Sequence, residues 1–274
     1  AAVVPFHFWL PDAYGSAPIP VCVLFAGVMS ELGLFAVIRV WVTVFSGVDG
    51  GTGPRMRAVL LGLGILTAVV GAVMALAQVH LKRMLAFLTM SHLGIYLIGA
   101  GLLTPLGLAG ASLLVIGDGL AKSALFLGVG VVQHQRASVS EIKLRGRGRG
   151  LAVTGVTIML GALVLADLPP YVSSAGHALL VKAAEQAGLP WLEIVIALSV
   201  SLSSGAVLRA AGRIWLGWGA SQSPRPDTGT ADDPGEEAED RSDTANSASA
   251  EGAPGTQESI GSTDGGSAGA DRDQ

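Results

Sequence analysis

Apolar runs long enough to cross a bilayer follow one another through most of this chain. They cover residues 19–45, 58–78, 84–103, 106–132, 151–187 and 191–218. A hydrocarbon core needs roughly 20 apolar residues per helix. Six such runs in succession leave no room for an ordinary soluble domain. Charged residues make up 14% of the chain, well below the roughly 25% of soluble domains. Lipid is therefore the expected solvent, and helices satisfy their own backbone hydrogen bonds there. The expected fold class is an all-α membrane protein with about six transmembrane helices. The fifth run is interrupted at Asp167, Leu168, Pro169 and Pro170. Two prolines remove backbone donors and break the helix.

Charge is distributed in two unlike parts. Residues 1–220 carry 14 Lys/Arg and 8 Asp/Glu, and residues 221–274 carry 3 and 13. The final segment has Ile260 as its only large apolar residue. Such a sequence cannot bury enough surface to offset the entropy of ordering. It reads as a disordered acidic tail over 220–274. Of the basic residues, Lys82, Arg83, Arg136, Lys143, Arg145, Arg147, Arg149 and Arg213 fall on one side of alternating spans, and Arg55, Arg57 and Lys182 on the other. By the positive-inside rule the basic loops and the tail face the cytoplasm of a multi-pass protein of the cell membrane. The chain has no initiator Met, and its first residues are apolar without a basic leader. Further residues are expected upstream.

Several function classes find no support. Gly62-Leu-Gly64 and Gly128-Val-Gly130 lie in apolar helices, where small residues serve close packing. No phosphate loop, dinucleotide fingerprint or nucleophile elbow stands in its proper context. Cys22 is the only cysteine, and no His/Cys cluster has metal spacing. No cofactor, metal or nucleic acid is therefore expected.

The ionisable residues inside the spans carry the functional argument, because a charge at the bilayer centre costs on the order of 3 kcal/mol or more. Glu31 lies mid-span in the first run and reads as a carboxylic acid able to take and release a proton. Asp118 and Lys122 stand four residues apart in the fourth run, on one helical face. They form either a fixed ion pair or a pair whose opening and closing governs the lysine. The chain has 13 Arg but only 4 Lys, and its deeply embedded cation is lysine, which can lose a proton where arginine cannot. His92 in the third run is either a structural histidine or a relay point. Asp167 and His177 flank the break at Pro169 and Pro170. Broken backbone at membrane depth is tolerated where protein or a water-filled cavity satisfies it, so a hydrated cavity is expected there.

Five segments carry a resemblance. Pro5-Phe-His-Phe-Trp-Leu-Pro-Asp-Ala13 with Ala17-Pro18-Ile-Pro20, the stretch from Gln78 to Gly94 around Lys82-Arg83 and Ser91-His92, Lys122-Ser-Ala-Leu-Phe-Leu, Leu168-Pro-Pro-Tyr171, and Ala206-Val-Leu-Arg209 with Arg213 to Gly217 stand in this order. Together they resemble the signatures of the antiporter-like proton-translocating subunits of complex I, membrane-bound hydrogenases and multisubunit Na+/H+ antiporters, in their C-terminal portion. The resemblance implies two inverted five-helix repeats, each with one broken helix. Spans two to six would form the second repeat, and residues 1–13 the end of the first repeat's broken helix. Lys122 would match the central lysine of the family. His177 falls where Lys or Glu is usual, Glu31 near a position often held by Lys or His, Asp118 where His is frequent, and His80 where Asp precedes Lys-Arg.

The expected organisation is a broken-helix end and loop over 1–18, a transmembrane domain over 19–219, and the tail. The expected function is proton translocation within a redox-driven complex such as an NADH:quinone oxidoreductase or a hydrogenase, with Lys122, Glu31, His177, His92 and Asp118 as the pathway. Partners would be other membrane subunits, lipid and protons, with the redox catalysis left to neighbouring subunits. Two rivals stand beside it: a secondary Na+/H+ antiporter, in which sodium is carried, and a degenerate scaffold subunit of a membrane arm. Orientation is testable at once. Protease added to inside-out vesicles should trim residues beyond Ser221, and protease outside intact cells should not. Cleavage from the outer face would reverse the assignment.

Overall fold

A computed structural model describes residues 2–40, 43 and 52–218 of the chain. The tail lies outside the described residues. The secondary structure is helical: α1 (Trp9–Ser16), α2 (Ile19–Leu24), a π-helical turn (Phe25–Met29), α3 (Ser30–Val40), α4 (Thr52–Ala77), α5 (Leu81–Gly101), α6 (Pro105–Arg136), α7 (Ala152–Leu165), α8 (Val172–Gln186) and α9 (Leu192–Ala211), which runs on into a second π turn (Gly212–Leu216). Among the described residues, five stretches are long and apolar enough to cross a membrane: Ile19–Val40, Pro54–Ala77, Leu81–Gly101, Pro105–Arg136 and Leu192–Leu216. The sixth crossing is the broken one. At 14 and 15 residues, α7 and α8 are each roughly 21–22 Å long. Neither alone reaches across a core of about 30 Å, so a crossing here needs both helices with the break between them.

Pro105 and Pro54 sit where helices can take them. Pro105 opens α6, where its missing N–H has no partner to lose, and Thr104 caps the same end by accepting a bond from the Gly107 N–H at 3.0 Å. The proline-rich 5–20 region also forms a helix, because Pro11 falls in the first turn of α1.

The bundle is organised around α5. Every residue of α5 except Arg83 is buried, with α4, α6, α9, α1 and α3 packed about it. A helix enclosed in this way turns no side to lipid, so its polar side chains must find partners on neighbouring helices. The tightest contact is with α4. A Cβ placed on Gly94 would stand 2.3 Å from the Ala68 backbone nitrogen, and one on Gly71 would stand 2.5 Å from that of Ser91. Only hydrogen fits at either site. The Ser91 hydroxyl donates to the Ala68 carbonyl at 2.9 Å, locking the register.

One end of the bundle is closed by a feature that the charge pattern alone did not reveal. The loop after α6 carries the basic run, and within it Glu141 is fully buried. Its Oε1 receives Arg209 at 3.3 Å and also receives Arg213. The Arg209 guanidinium also donates to the carbonyls of Leu76 and Gln78 at the end of α4, groups that a helix terminus leaves unsatisfied. The Glu141 N–H donates to the Val79 carbonyl and the Leu81 N–H to that of Val139, both at 2.9 Å. One carboxylate thus ties the ends of α4, α5 and α9 to the loop.

Two stability predictions follow from these contacts. Gly94→Ala should separate α4 from α5 and cost roughly 1–3 kcal/mol, read as a lower midpoint of thermal unfolding in detergent. Glu141→Ala strands two arginines beside helix ends and should cost about 2–3 kcal/mol, whereas an exposed change such as Lys143→Ala should leave the midpoint in place.

Candidate functional site

Four of the expected residues, Glu31, His92, Asp118 and Lys122, are buried between three helices. Glu31 arrives on α3 through the π turn at Phe25–Met29. A π turn holds an extra residue and rotates everything beyond it about the helix axis. The Ser30 hydroxyl donates to the Phe25 carbonyl at 2.8 Å inside that turn. Gly27 brings the turn against α6, because a Cβ there would meet the Ser123 hydroxyl at 2.6 Å. Glu31 consequently faces Lys122, with Nζ 3.4 Å from Oε1. Both side chains are buried, at 7% and 1% exposure.

Lys122 and Asp118 share a face of α6, as their spacing requires. They do not form the direct ion pair that the spacing suggested. Lys122 turns to Glu31, and Asp118 turns to His92. Between the two pairs stands Tyr96 of α5, fully buried. Its hydroxyl accepts from Lys122 Nζ at 3.0 Å and donates to Asp118 Oδ2 at 2.5 Å. The ammonium also lies 5.0 Å from the centre of the Tyr96 ring, close enough for a cation–π attraction.

His92 completes the row. Its Nδ1 lies 2.6 Å from Asp118 Oδ2, and its Nε2 lies 3.3 Å from the Ser203 hydroxyl on α9. The Ser203 hydroxyl is also 3.1 Å from the Val200 carbonyl. A hydroxyl has one proton to give. When it serves Val200, it can accept from Nε2–H; when it turns to Nε2, His92 carries its proton on Nδ1. The same side chains suit both tautomers. The buried row therefore reads Glu31, Lys122, Tyr96, Asp118, His92, Ser203, drawn from α3, α5, α6 and α9.

Asp167 and His177 form a second pair across the helix break, with Nδ1 3.0 Å from Oδ2. The Asp167 side chain is 6% exposed and that of His177 22%. Asp167 adopts φ +54°, a left-handed conformation that aspartate tolerates better than most residues. Ser173 spans the same break by donating to the Val164 carbonyl at 2.8 Å. A Cβ on Gly117, the neighbour of Asp118, would lie 3.1 Å from the Ser173 backbone nitrogen. The break thus packs beside the buried row, but His177 does not join it: its described partner is Asp167. Glu31 Oε2, Asp118 Oδ1 and Asp167 Oδ1 are each buried without a protein partner. Each is an acceptor that a proton or a water would satisfy.

Sequence reasoning missed Tyr96 and Ser203. A signal for the first was present. His92 and Tyr96 stand four apart on α5, as Asp118 and Lys122 do on α6, so two polar pairs of equal spacing lie on consecutive spans. Ser203 carried no such mark among the many small residues of α9. Among the described residues, no three of His, Cys, Asp and Glu come together as ligands of a metal would.

The chain is similar to known membrane proteins. The chain is 32% identical over 189 residues to formate hydrogenlyase subunit 3 of Escherichia coli (strain K12), an alignment covering 65% of this chain and 30% of that protein. It is 31% identical over 200 residues to NAD(P)H-quinone oxidoreductase chain 4 2 of Synechococcus elongatus, covering 72% of this chain and 37% of that one. Among solved structures, a chain of the Mrp complex from Dietzia sp. DQ12-45-1b superposes with a TM-score of 0.73 at 26% identity, covering 82% of this chain and 41% of that chain. The chain thus spans about a third of the length of these curated relatives. The transmembrane family described as NADH:quinone oxidoreductase/Mrp antiporter matches residues 1–203. By that match, which covers well over half of its length, this integral membrane chain belongs to the NADH:quinone oxidoreductase/Mrp antiporter transmembrane family.

Proposed function

We propose that this chain carries protons across the cell membrane as part of an antiporter-like subunit in a redox-driven complex. The single observation behind the reading is the unbroken buried row from Glu31 to His92 in the middle of a membrane bundle. Residues 19–219 are the translocating domain. Residues 220–274 are an acidic cytoplasmic tail, on the side of the basic loops. Partners are further membrane subunits, and they supply the redox chemistry.

The physics of the row suits such a task. A charge at the bilayer centre costs on the order of 3 kcal/mol. An opposite charge at about 4 Å returns on the order of 4 kcal/mol at an intermediate effective dielectric. The pair holds two charges and so costs roughly twice the first figure; the attraction offsets much of this only while Glu31 stays close to Lys122. Displacements driven by neighbouring subunits would move protons along the row in turn. Asp167 and His177 stand beside the row without a hydrogen bond to it, and water in the break would link them to the row and to one membrane face.

A second reading keeps the same residues and changes the ion. The Mrp likeness, with the partnerless carboxylate oxygens of Glu31 and Asp118, favours Na+/H+ exchange. The two readings part experimentally. In inside-out membrane vesicles holding the intact assembly, Lys122→Ala should abolish proton uptake driven by an electron donor, while the subunit still inserts. Full uptake in that variant would remove Lys122 from the pathway. Sodium-dependent proton movement without any electron donor would favour exchange. If His177→Ala and Lys122→Ala are both silent, the chain is a scaffold.

A further inference from the structure

Among the described residues, Tyr96 is the buried side chain that hydrogen-bonds to both Lys122 and Asp118. We propose that its phenol is an obligatory proton-passing group, without which the Glu31–Lys122 pair and the Asp118–His92 pair are two separate sites. The proposal rests on the proton-carrying reading above and adds a residue to it.

Three observations support it. The first is polarity: the hydroxyl accepts from Nζ at 3.0 Å and donates to Oδ2 at 2.5 Å, so its lone pair and its proton already point the way a proton would travel. The second is position. Lys122 leans away along α6 toward Glu31, and no direct ion pair joins it to Asp118 among the described contacts. Removing one oxygen atom from Tyr96 would interrupt the row. The third is rigidity. Tyr96 lies on the enclosed helix α5 with its side chain fully buried. The His92 ring stands edge-on to it, 6.4 Å between centres. The hydroxyl is fixed in place, and rotation about its own C–O bond is the motion left to it.

The step balances without a free phenolate. One Nζ–H bond of the Lys122 ammonium breaks as a bond from that proton to the phenol oxygen forms. The original phenol O–H bond breaks as an O–H bond forms on Asp118. Lysine ends neutral, the carboxylate ends protonated, and tyrosine is unchanged except that its hydroxyl now points at Lys122. The hydroxyl must swing back before a second proton can pass. Asp118 then returns to its ionised form by yielding its proton to His92 Nδ1, which can take it when the neutral imidazole carries its own proton on Nε2, against the Ser203 hydroxyl.

The test uses the intact assembly in inside-out vesicles. Tyr96→Phe should cut donor-driven proton uptake by tenfold or more, within the range that removal of a positioned proton-transfer group commonly costs, with the subunit present at its normal level. If Tyr96→Phe transports at the normal rate while Lys122→Ala does not, the role of Tyr96 is refuted and the transport reading stands. If both transport normally, the transport reading itself fails. A fluorinated tyrosine at position 96 keeps the shape and makes the phenol more acidic, and it decides the matter even if Tyr96→Phe fails to assemble. The charged and titratable groups bearing on this phenol are Glu31 from α3, Lys122 and Asp118 from α6, His92 from α5, and Asp167 from the helix break. None of these is altered by the fluorine. The rate of donor-driven uptake should change with the acidity of the phenol while the subunit stays at its normal level. A rate equal to that of the natural tyrosine would overturn the proposal.

Discussion

A lysine ammonium in the middle of a membrane bundle is the constraint from which the rest of this structure follows. Lys122 is 1% exposed. Its burial is tolerable because Glu31 and Tyr96 stand 3.4 and 3.0 Å away. Each of those groups then needs a place of its own. Glu31 requires the π turn that rotates α3 toward α6. Tyr96 requires an enclosed helix. Asp118, which receives the Tyr96 proton, requires His92, and His92 requires Ser203. The chain of requirements crosses four helices before it ends in a hydroxyl.

The packing can be understood as the means of holding that row. Glycines on α4 and α5 let the two backbones approach until little more than hydrogen separates them, and that contact fixes where α5 places His92 and Tyr96. At one end, the buried Glu141 gathers Arg209 and Arg213 and joins the loop after α6 to the termini of α4 and α9. Arg209 and Arg213 serve this structural role at one end of the bundle. The lysine sits in the middle. That division follows the chemistry: a guanidinium is a permanent, fork-shaped donor, whereas an ammonium can give up its proton.

The helix break adds a second, distinct element. In α7 and α8 the Pro169–Pro170 interruption leaves backbone groups without helical partners. Ser173 takes up the Val164 carbonyl, and Asp167 with His177 occupies the gap. The pair sits beside the row without joining it. A break supported by polar side chains, next to a buried line of ionisable groups, is what a passage between membrane face and membrane centre requires.

Much of this was legible in the amino-acid order. Run lengths gave the crossings, Pro169 and Pro170 gave the break, and the cost of charge in hydrocarbon picked out Glu31, His92, Asp118, Lys122, Asp167 and His177. What misled was the four-residue spacing of Asp118 and Lys122. Spacing along one helix fixes which side chains share a face, and both do face inward. It does not fix what lies opposite. That is set by the rotation and depth of other helices, which here depend on a π turn at Phe25–Met29 and on glycine contacts at positions 71 and 94. Sequence alone therefore determined which groups had to be buried. Tertiary structure alone decided that lysine pairs with Glu31, that aspartate pairs with His92, and that Tyr96 stands between them, because hydrogen bonds between helices depend on distances that no single helix contains.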